Sequence, residues 1–352
     1  MPTVVKSIIH TETGPASVLR LEERPLPVPG AGEVRVRVVV SGVNPTDWKS
    51  RRGRGNGQAL AFPEITPNQD GAGVVDAVGP GVSDLAAGDR VWTCMAAQGR
   101  PTGTAQEFTV LPAERVVRLP DGVSFDVGAS LGVPAVTAHR ALTVAEDGPR
   151  RLAPGALAGR TVLVSGGAGA VGHAAIQLAR WAGARVVTTV SGPEKARLAT
   201  AAGADHVVNY REGDPAAAIR EVAPEGVDLV VEVAIAPNLE FDQAVVRPRA
   251  SIASYANNGG DDVRVDIRAH MVLNTRLQFI LMYTMGDEAL SAAFEDITAA
   301  LRDGALPVGE EHGLPLLRFP LERTAAAHEA VEGDAVGKVL VDVADPGSVV
   351  PA

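Results

Sequence analysis

The chain is poor in cysteine, with a single one, Cys94, among 352 residues. One thiol cannot close an internal disulfide, and such usage fits a reducing compartment. Cys94 itself reads as a buried apolar side chain rather than a reactive group. A cationic surplus is also missing. The formal net charge is -10, which argues against a general affinity for nucleic acid or anionic membrane and leaves a small molecule as the expected partner. No apolar run is long enough to span a bilayer, and the opening MPTVVKSIIHTETGP lacks the basic start, apolar centre and small-residue cleavage site of a secretion signal, so a cytoplasmic protein is expected. Internal repeats and low-complexity tracts are absent as well. What is present is ordinary globular composition, 46% hydrophobic and 21% charged, on a chain long enough for two domains, each with its own core.

Two textures divide the sequence. Up to about residue 133, short alternating apolar runs are broken by Gly and Pro, as in EVRVRVVVSGVNP, GAGVVDAVGPG and TAQEFTVLPAERVVRLP. Period-two alternation between turn residues predicts half-buried antiparallel strands, hence a β-rich domain. From residue 134, Val/Ile/Leu-rich strands such as TVLVSGG, RVVTTVS and DLVVEVA alternate with helical patterns such as AVGHAAIQLARWAGA and PAAAIREVAP. That alternation predicts a buried parallel sheet covered by helices, so the fold class is α/β with a doubly wound sheet beside a β-rich domain. Residues 146–160, EDGPRRLAPGALAGR, read as an exposed loop. After residue 290 a helical segment leads to GKVLVDV, a strand-like tail able to return to the first domain.

The motif with chemistry in it is VLVSGGAGAVG. Gly166, Gly167, Ala168, Gly169, Ala170, Val171 and Gly172 follow a strand and open a helix whose Val171, Ala175, Leu178, Ala179 and Ala182 share one face. A strand, a glycine turn and a helix N-terminus make an anion site, because free N–H groups and the helix dipole converge on a pyrophosphate. Gly169 lets phosphates approach the backbone, and Gly172 lets helix and strand pack closely. The loop predicts a bound dinucleotide.

Which dinucleotide is decided at the end of the next strand, where an acid grips the ribose 2′-hydroxyl in NAD-binding proteins. RVVTTV instead runs into Ser191-Gly192-Pro193-Glu194-Lys195. A hydroxyl and a nearby ammonium can donate to a 2′-phosphate that an acid would repel, so NADPH is preferred. Glu194 is the alternative, a displaced acid.

The order of SGVNPTDWKSRRG, DGAGVVDAVGPGVSDLAAGDRVW, VPAVTAHRAL, VLVSGGAGAVGHAAIQLAR, DHVVNYREGD and AHEAVEGDAVGKVLVDV resembles the medium-chain dehydrogenase/reductase superfamily, and within it the zinc-free quinone oxidoreductases related to zeta-crystallin. The resemblance covers nearly the whole chain. It implies a discontinuous GroES-like domain of residues 1–133 and 291–352, a Rossmann NADPH-binding domain at 134–290, and a homodimer. Where zinc alcohol dehydrogenases carry Cys, this chain has Asn44; where they carry Gly-His-Glu, it has Asn68-Gln69-Asp70. Neutral amides are poor zinc ligands, and one cysteine cannot build the structural zinc loop, so no metal is expected.

Without a Lewis acid to stabilise an alkoxide, the expected reaction is hydride transfer from NADPH to an acceptor already electron-poor, a quinone or an α,β-unsaturated carbonyl. Charge then develops on the carbonyl oxygen, where a positioned donor helps. The resemblance implies that Asn44 and Thr137 lie beside the nicotinamide. Lys49 stands where relatives have Tyr; it reads either as the donor to that oxygen or as a solvated charge beside Arg51, Arg52 and Arg54. Tyr210 joins Ser191 and Lys195 at the 2′-phosphate, Ile280 and Met282 fall on a segment that meets the carboxamide, and Lys338 is the last cofactor position carried over. Among the glycines, Gly167 occupies a position where relatives often have Ala. Two alternatives stand beside this reading: an enoyl-thioester reductase of enoyl-CoA or polyketide type, and a non-enzymatic NADPH-binding protein.

Overall fold

The computed structural model describes residues 3–53, 59–345 and 347; Arg54 of the basic stretch lies outside them. The chain forms two compact units, residues 1–133 with 316–352, and residues 134–315.

The first unit begins with β1 (Val4–Ile9) and β2 (Arg20–Pro25), paired antiparallel, and continues through β3 (Glu33–Val43), α1 (Pro45–Arg52), β4 (Asp70–Val78), β5 (Arg90–Thr93), β6 (Phe108–Pro112), β7 (Val116–Arg118) and α2 (Phe125–Gly128). Strand β3 shows why alternation was legible: from Glu33 to Val38 its residues alternate half-buried and buried, and from Val39 onward both faces are covered. Valines 34, 36, 75 and 91 with Leu111 form one core cluster.

The second unit contains α3 (Gly132–Leu142, which starts at the end of the first), β8 (Thr161–Ser165), α4 (Ala170–Trp181), β9 (Arg185–Val190), α5 (Pro193–Ala201), β10 (His206–Asn209), α6 (Pro215–Val222), β11 (Val227–Glu232), α7 (Ile235–Val245), β12 (Val246–Ser254), α8 (Ile267–Leu273), β13 (Arg276–Phe279) and α9 (Asp287–Arg302). Its six strands are all parallel, in the order β10-β9-β8-β11-β12-β13. Val162, Leu163, Val164, Val230 and Val231 are fully buried, as strands covered on both faces must be. The order steps outward from β8 in one direction and from β11 in the other, and that reversal is where open parallel sheets bind ligands.

The chain then returns to the first unit with β14 (Leu316–Pro320), α10 (Thr324–Glu332) and β15 (Lys338–Asp342). β15 lies antiparallel on β3, Val339 opposite Val43, and Leu321, Ala327, Val339 and Val341 share a core with Ile8 and Val43. The second junction therefore falls at 315/316 rather than at 290/291. Helix α9 stays with the second unit because its Asp296 bonds His139 and Arg151 of that unit. The 146–160 segment is irregular, as expected, but it is not simply exposed. Leu152 and Leu157 are 2% and 3% accessible, and the Leu152 N–H donates to Asp296.

Candidate cofactor site and buried polar cluster

In the second unit the glycine loop turns from β8 into α4. Gly166 has φ +72, a conformation open to glycine at little steric cost. A Cβ on Gly167 would lie 2.1 Å from Thr188 Oγ1, and one on Gly172 would lie 2.3 Å from the Gly166 carbonyl oxygen. Loop and helix are thus in backbone contact, with Ala168 buried beneath them. Gly169 is exposed and caps α4, while Ala170 and Val171 are half-buried. The N–H groups of Ala170, Val171 and Gly172 belong to the first turn, where no preceding carbonyl reaches them. An exposed glycine before such a terminus leaves room for a dinucleotide pyrophosphate, so the residues present fit that group.

The 2′-phosphate candidates gather at neighbouring strand ends. β10 runs parallel to β9 with Asn209 opposite Val190, and the Tyr210 N–H donates to the Val190 carbonyl. Tyr210, half exposed, therefore stands beside Ser191. Lys195 lies in the first turn of α5 and pairs with no carboxylate among the described residues. Arg211, exposed next to Tyr210, is a cation that sequence reasoning passed over. Its signal was adjacency alone.

Thr137, Ile280 and Met282 are placed in the same unit, all buried, at 6%, 8% and 4% accessible. The Ile280 N–H bonds the Ser254 carbonyl, continuing the β13 side of the sheet past its last residue. An acid pair was missed altogether. Glu232 ends β11 fully buried, and Oε1 accepts from the Ala234 N–H and from Asn238 Nδ2, the latter at 3.1 Å. Burial pushes its carboxyl up. Asp242, also fully buried, is pushed up by burial and by Glu232 beside it. Both acids sit in segments whose apolar periodicity hides them.

In the first unit, Asn44 ends the β3 turn and caps α1. The Asp47 carboxylate accepts the Asn44 N–H at 2.7 Å and the Gln69 N–H at 3.1 Å, which fixes the helix start against the next strand. Asn44 is 2% accessible. Its Nδ2 donates to Asp70 Oδ2 at 2.7 Å, and its Oδ1 accepts from Lys338 Nζ at 2.7 Å. Asp70, 0% accessible, also accepts from the Val133 N–H. Burial, with the charge of Asp70, pushes the Asp47 carboxyl up to about 8. Burial lowers the Lys338 ammonium.

Lys338, 1% accessible with its ammonium on Asn44, lies in the core of the first unit rather than on its surface. Lys49 is exposed on α1, 5.9 Å from the Trp48 ring centre. Its neighbours Arg51 and Arg52 both bond Glu332 of α10. Arg51 is buried at 1%, so it is not the solvated charge its sequence context implied. In the stretch aligned with Gly-His-Glu of the zinc enzymes, Asn68, at the Gly position, donates Nδ2–H to Ser41 Oγ and its Oδ1 meets His328 Nε2, while Gln69, at the His position, accepts the Ala97 N–H on Oε1. These amides are committed to internal hydrogen bonds.

Two family models match: the alcohol dehydrogenase GroES-like domain over residues 30–121 and the zinc-binding dehydrogenase domain over 170–300. A 2-haloacrylate reductase from Burkholderia sp is 30% identical, the match covering 96% of this chain and 98% of that one. A quinone oxidoreductase from Lama guanicoe is 31% identical, with 96% and 97% covered. Among solved structures, a mycobacterial protein complexed with NADPH is 31% identical and superposes with a TM-score of 0.78 over 96% of this chain and 99% of that one. With whole-length likeness at this level and both domain models in order, the chain belongs to the quinone oxidoreductase branch of the medium-chain dehydrogenase/reductase superfamily.

Proposed function

We propose that this protein is an NADPH-dependent reductase of quinones or α,β-unsaturated carbonyls that works without zinc. The observation that carries the reading is the glycine loop before α4 with Ser191, Lys195 and Tyr210 at two neighbouring strand ends. The loop and helix terminus would hold the pyrophosphate, and the strand-end residues the 2′-phosphate. When bound, NADPH supplies a hydride. Thr137 and the Ile280–Met282 segment are assigned to the nicotinamide side, Asn44 to positioning beside it, and Lys49 to the oxygen that gains charge; solvent returns the proton. A 2-haloacrylate reductase among the relatives supports an activated carbon–carbon double bond as well as a quinone.

Steady-state oxidation of NADPH and NADH against quinones, enones and enoyl-CoA thioesters tests this. Turnover with simple quinones or enones is expected. Turnover confined to enoyl-CoA would move the assignment to a thioester reductase, and no NADPH consumption with any acceptor would leave only a binding protein. In the same assay, Ser191→Asp with Lys195→Ala places a carboxylate where the 2′-phosphate sits. Like-charge contact costs several kcal/mol, so the NADPH over NADH preference should fall by about 10³-fold. An unchanged preference would remove the 2′-phosphate site from this corner.

The protein is further proposed to be a cytoplasmic homodimer. β13 is an edge strand, paired only with β12 among the described residues. Around it Phe279 and Leu281 are 63% and 57% accessible, and Ile267, Met271 and Val272 of α8 are also exposed. An unpaired strand edge beside an exposed apolar face favours a second copy across a two-fold axis. Phe279→Asp with Leu281→Asp should convert a dimer to a monomer in light scattering, and a wild-type monomer would refute the assembly.

A further inference from the structure

We infer that Lys338 is a positioning residue of the reaction site, one that sets the direction of the Asn44 amide and holds the turn on which it is mounted. The inference rests on the assignment of Asn44 to the nicotinamide side. An asparagine amide has two ends that differ in chemistry, and its direction is fixed when one neighbour can only accept and the other can only donate. Around Asn44 the Asp70 carboxyl, pushed up by burial and held down by Lys338, the Asn44 amide and the Val133 N–H, accepts Nδ2–H at 2.7 Å, while the Lys338 ammonium can only donate, and gives to Oδ1 at 2.7 Å. The amide therefore has one orientation, with a single Nδ2–H remaining for other partners.

Lys338 also ties the backbone. Its ammonium reaches the Val43 carbonyl at 3.3 Å, so one cation grips both the last peptide of β3 and the side chain of the next residue. The third neighbour is Asp70 Oδ2 at 3.8 Å. The stem runs against β3 at Gly42, where a Cβ would lie 3.2 Å from Lys338 Cε and 2.1 Å from the Ala129 carbonyl oxygen. The Ala129 carbonyl alone excludes a side chain at 42, and the stem lies close against the same spot.

Stability alone does not account for a lysine at this position. Its strand neighbours Val339, Leu340 and Val341 are at most 2% accessible, and placing an ammonium among them carries a desolvation penalty. A buried ion pair often stabilises no more than an apolar pair of the same volume. What an apolar residue cannot do is donate to Asn44 Oδ1 and Val43 O together. Orientation is the function left to the ammonium.

The test is a mutant cycle on the full-length protein. Lys338→Met should lower kcat by about 10²-fold, the size of effect that a misplacement of about 1 Å produces, while NADPH affinity measured by fluorescence changes little. In an Asn44→Ala background the same change should add almost nothing, because the residue acted on is gone. A readout without cofactor accompanies it: in protein labelled with ¹⁵N-asparagine, the Asn44 side-chain amide resonances, assigned by their loss in Asn44→Ala, should shift in Lys338→Met. That arm holds even where no acceptor is found, so failure of the functional assignment and failure of this inference are distinguishable. Should Lys338→Met not fold, Asp70→Asn and Asp70→Asn/Lys338→Met are compared, and the double variant should turn over at least tenfold more slowly. Full turnover in a folded Lys338→Met protein, losses that multiply with Asn44→Ala, an unshifted amide, or equal rates in the Asp70→Asn pair would each overturn the inference.

Discussion

Gly172→Ala is expected to abolish measurable NADPH binding and to destabilise the second unit. The added methyl would meet the Gly166 carbonyl oxygen at 2.3 Å, Gly167 Cα at 2.9 Å and Gly166 C at 3.0 Å. All three are backbone atoms, so no side chain can swing aside, and relief requires moving α4 away from the loop that follows β8. Overpacking of this kind costs about 1–3 kcal/mol. The same movement swings the helix terminus off the position where the pyrophosphate would bind. Gly169→Ala separates the two effects. There the nearest atom is the Gly166 carbonyl oxygen at 3.5 Å, an ordinary contact, and the residue is exposed. This variant should unfold at the wild-type temperature yet bind NADPH at least about tenfold more weakly, because a methyl now stands before the helix terminus. Fluorescence titration and thermal unfolding of both variants check the pair. Wild-type affinity in Gly169→Ala would place the phosphates elsewhere.

The parts of the site that could be read from the sequence are those made by neighbouring residues. Strand, glycine turn and helix start lie within a dozen positions, and the turn's demand for a missing Cβ is written into the residue type. Tyr210 beside Ser191 was accessible through the resemblance, and strand pairing gives it a physical reason. The Asn44 cluster was not legible, because its members are far apart in the chain. Lys338 meets Asn44 across 294 positions, and a lone lysine before VLVDV looks like a surface charge at a strand start. Arg51 misled for the same reason: a run of basic residues suggests solvent, and only the approach of Glu332 from α10 shows that one of them is buried. Glu232 and Asp242 were hidden inside apolar patterns, since periodicity counts faces and cannot show which polar residue has been taken into the core. The misplaced junction at residue 290 has a similar origin. An amphipathic helix indicates that it packs on something, and the bonds of Asp296 to His139, Arg151 and Leu152, far away in the chain, are part of what joins α9 to the second unit.

That aspartate provides the largest stability prediction. Asp296, with its side chain 6% accessible, bonds His139 Nε2 at 2.8 Å, Arg151 Nε at 2.8 Å, Arg151 Nη2 at 2.6 Å and the Leu152 N–H at 2.7 Å. It thereby joins α3, the 146–160 segment and α9. Burial pushes its carboxyl up, but the hydrogen bonds from His139, Arg151 and Leu152 outweigh burial and hold it at about 2, below the ordinary 3.8. A carboxyl whose folded value is depressed stabilises fully above its unfolded value and loses that contribution as pH falls toward the folded one. Asp296→Ala should therefore destabilise by about 3–5 kcal/mol at neutral pH, because it leaves a buried imidazole and a backbone N–H without their partner. For a unit of this size that is a fall of roughly 10 °C in unfolding temperature. The gap between wild type and variant should stay constant from pH 7 to about pH 4 and then close toward pH 2, as the native carboxylate takes up its proton. Calorimetry across that range checks both the size and the direction. A gap that widened with acid would mean that Asp296 is not the ionised centre of the junction.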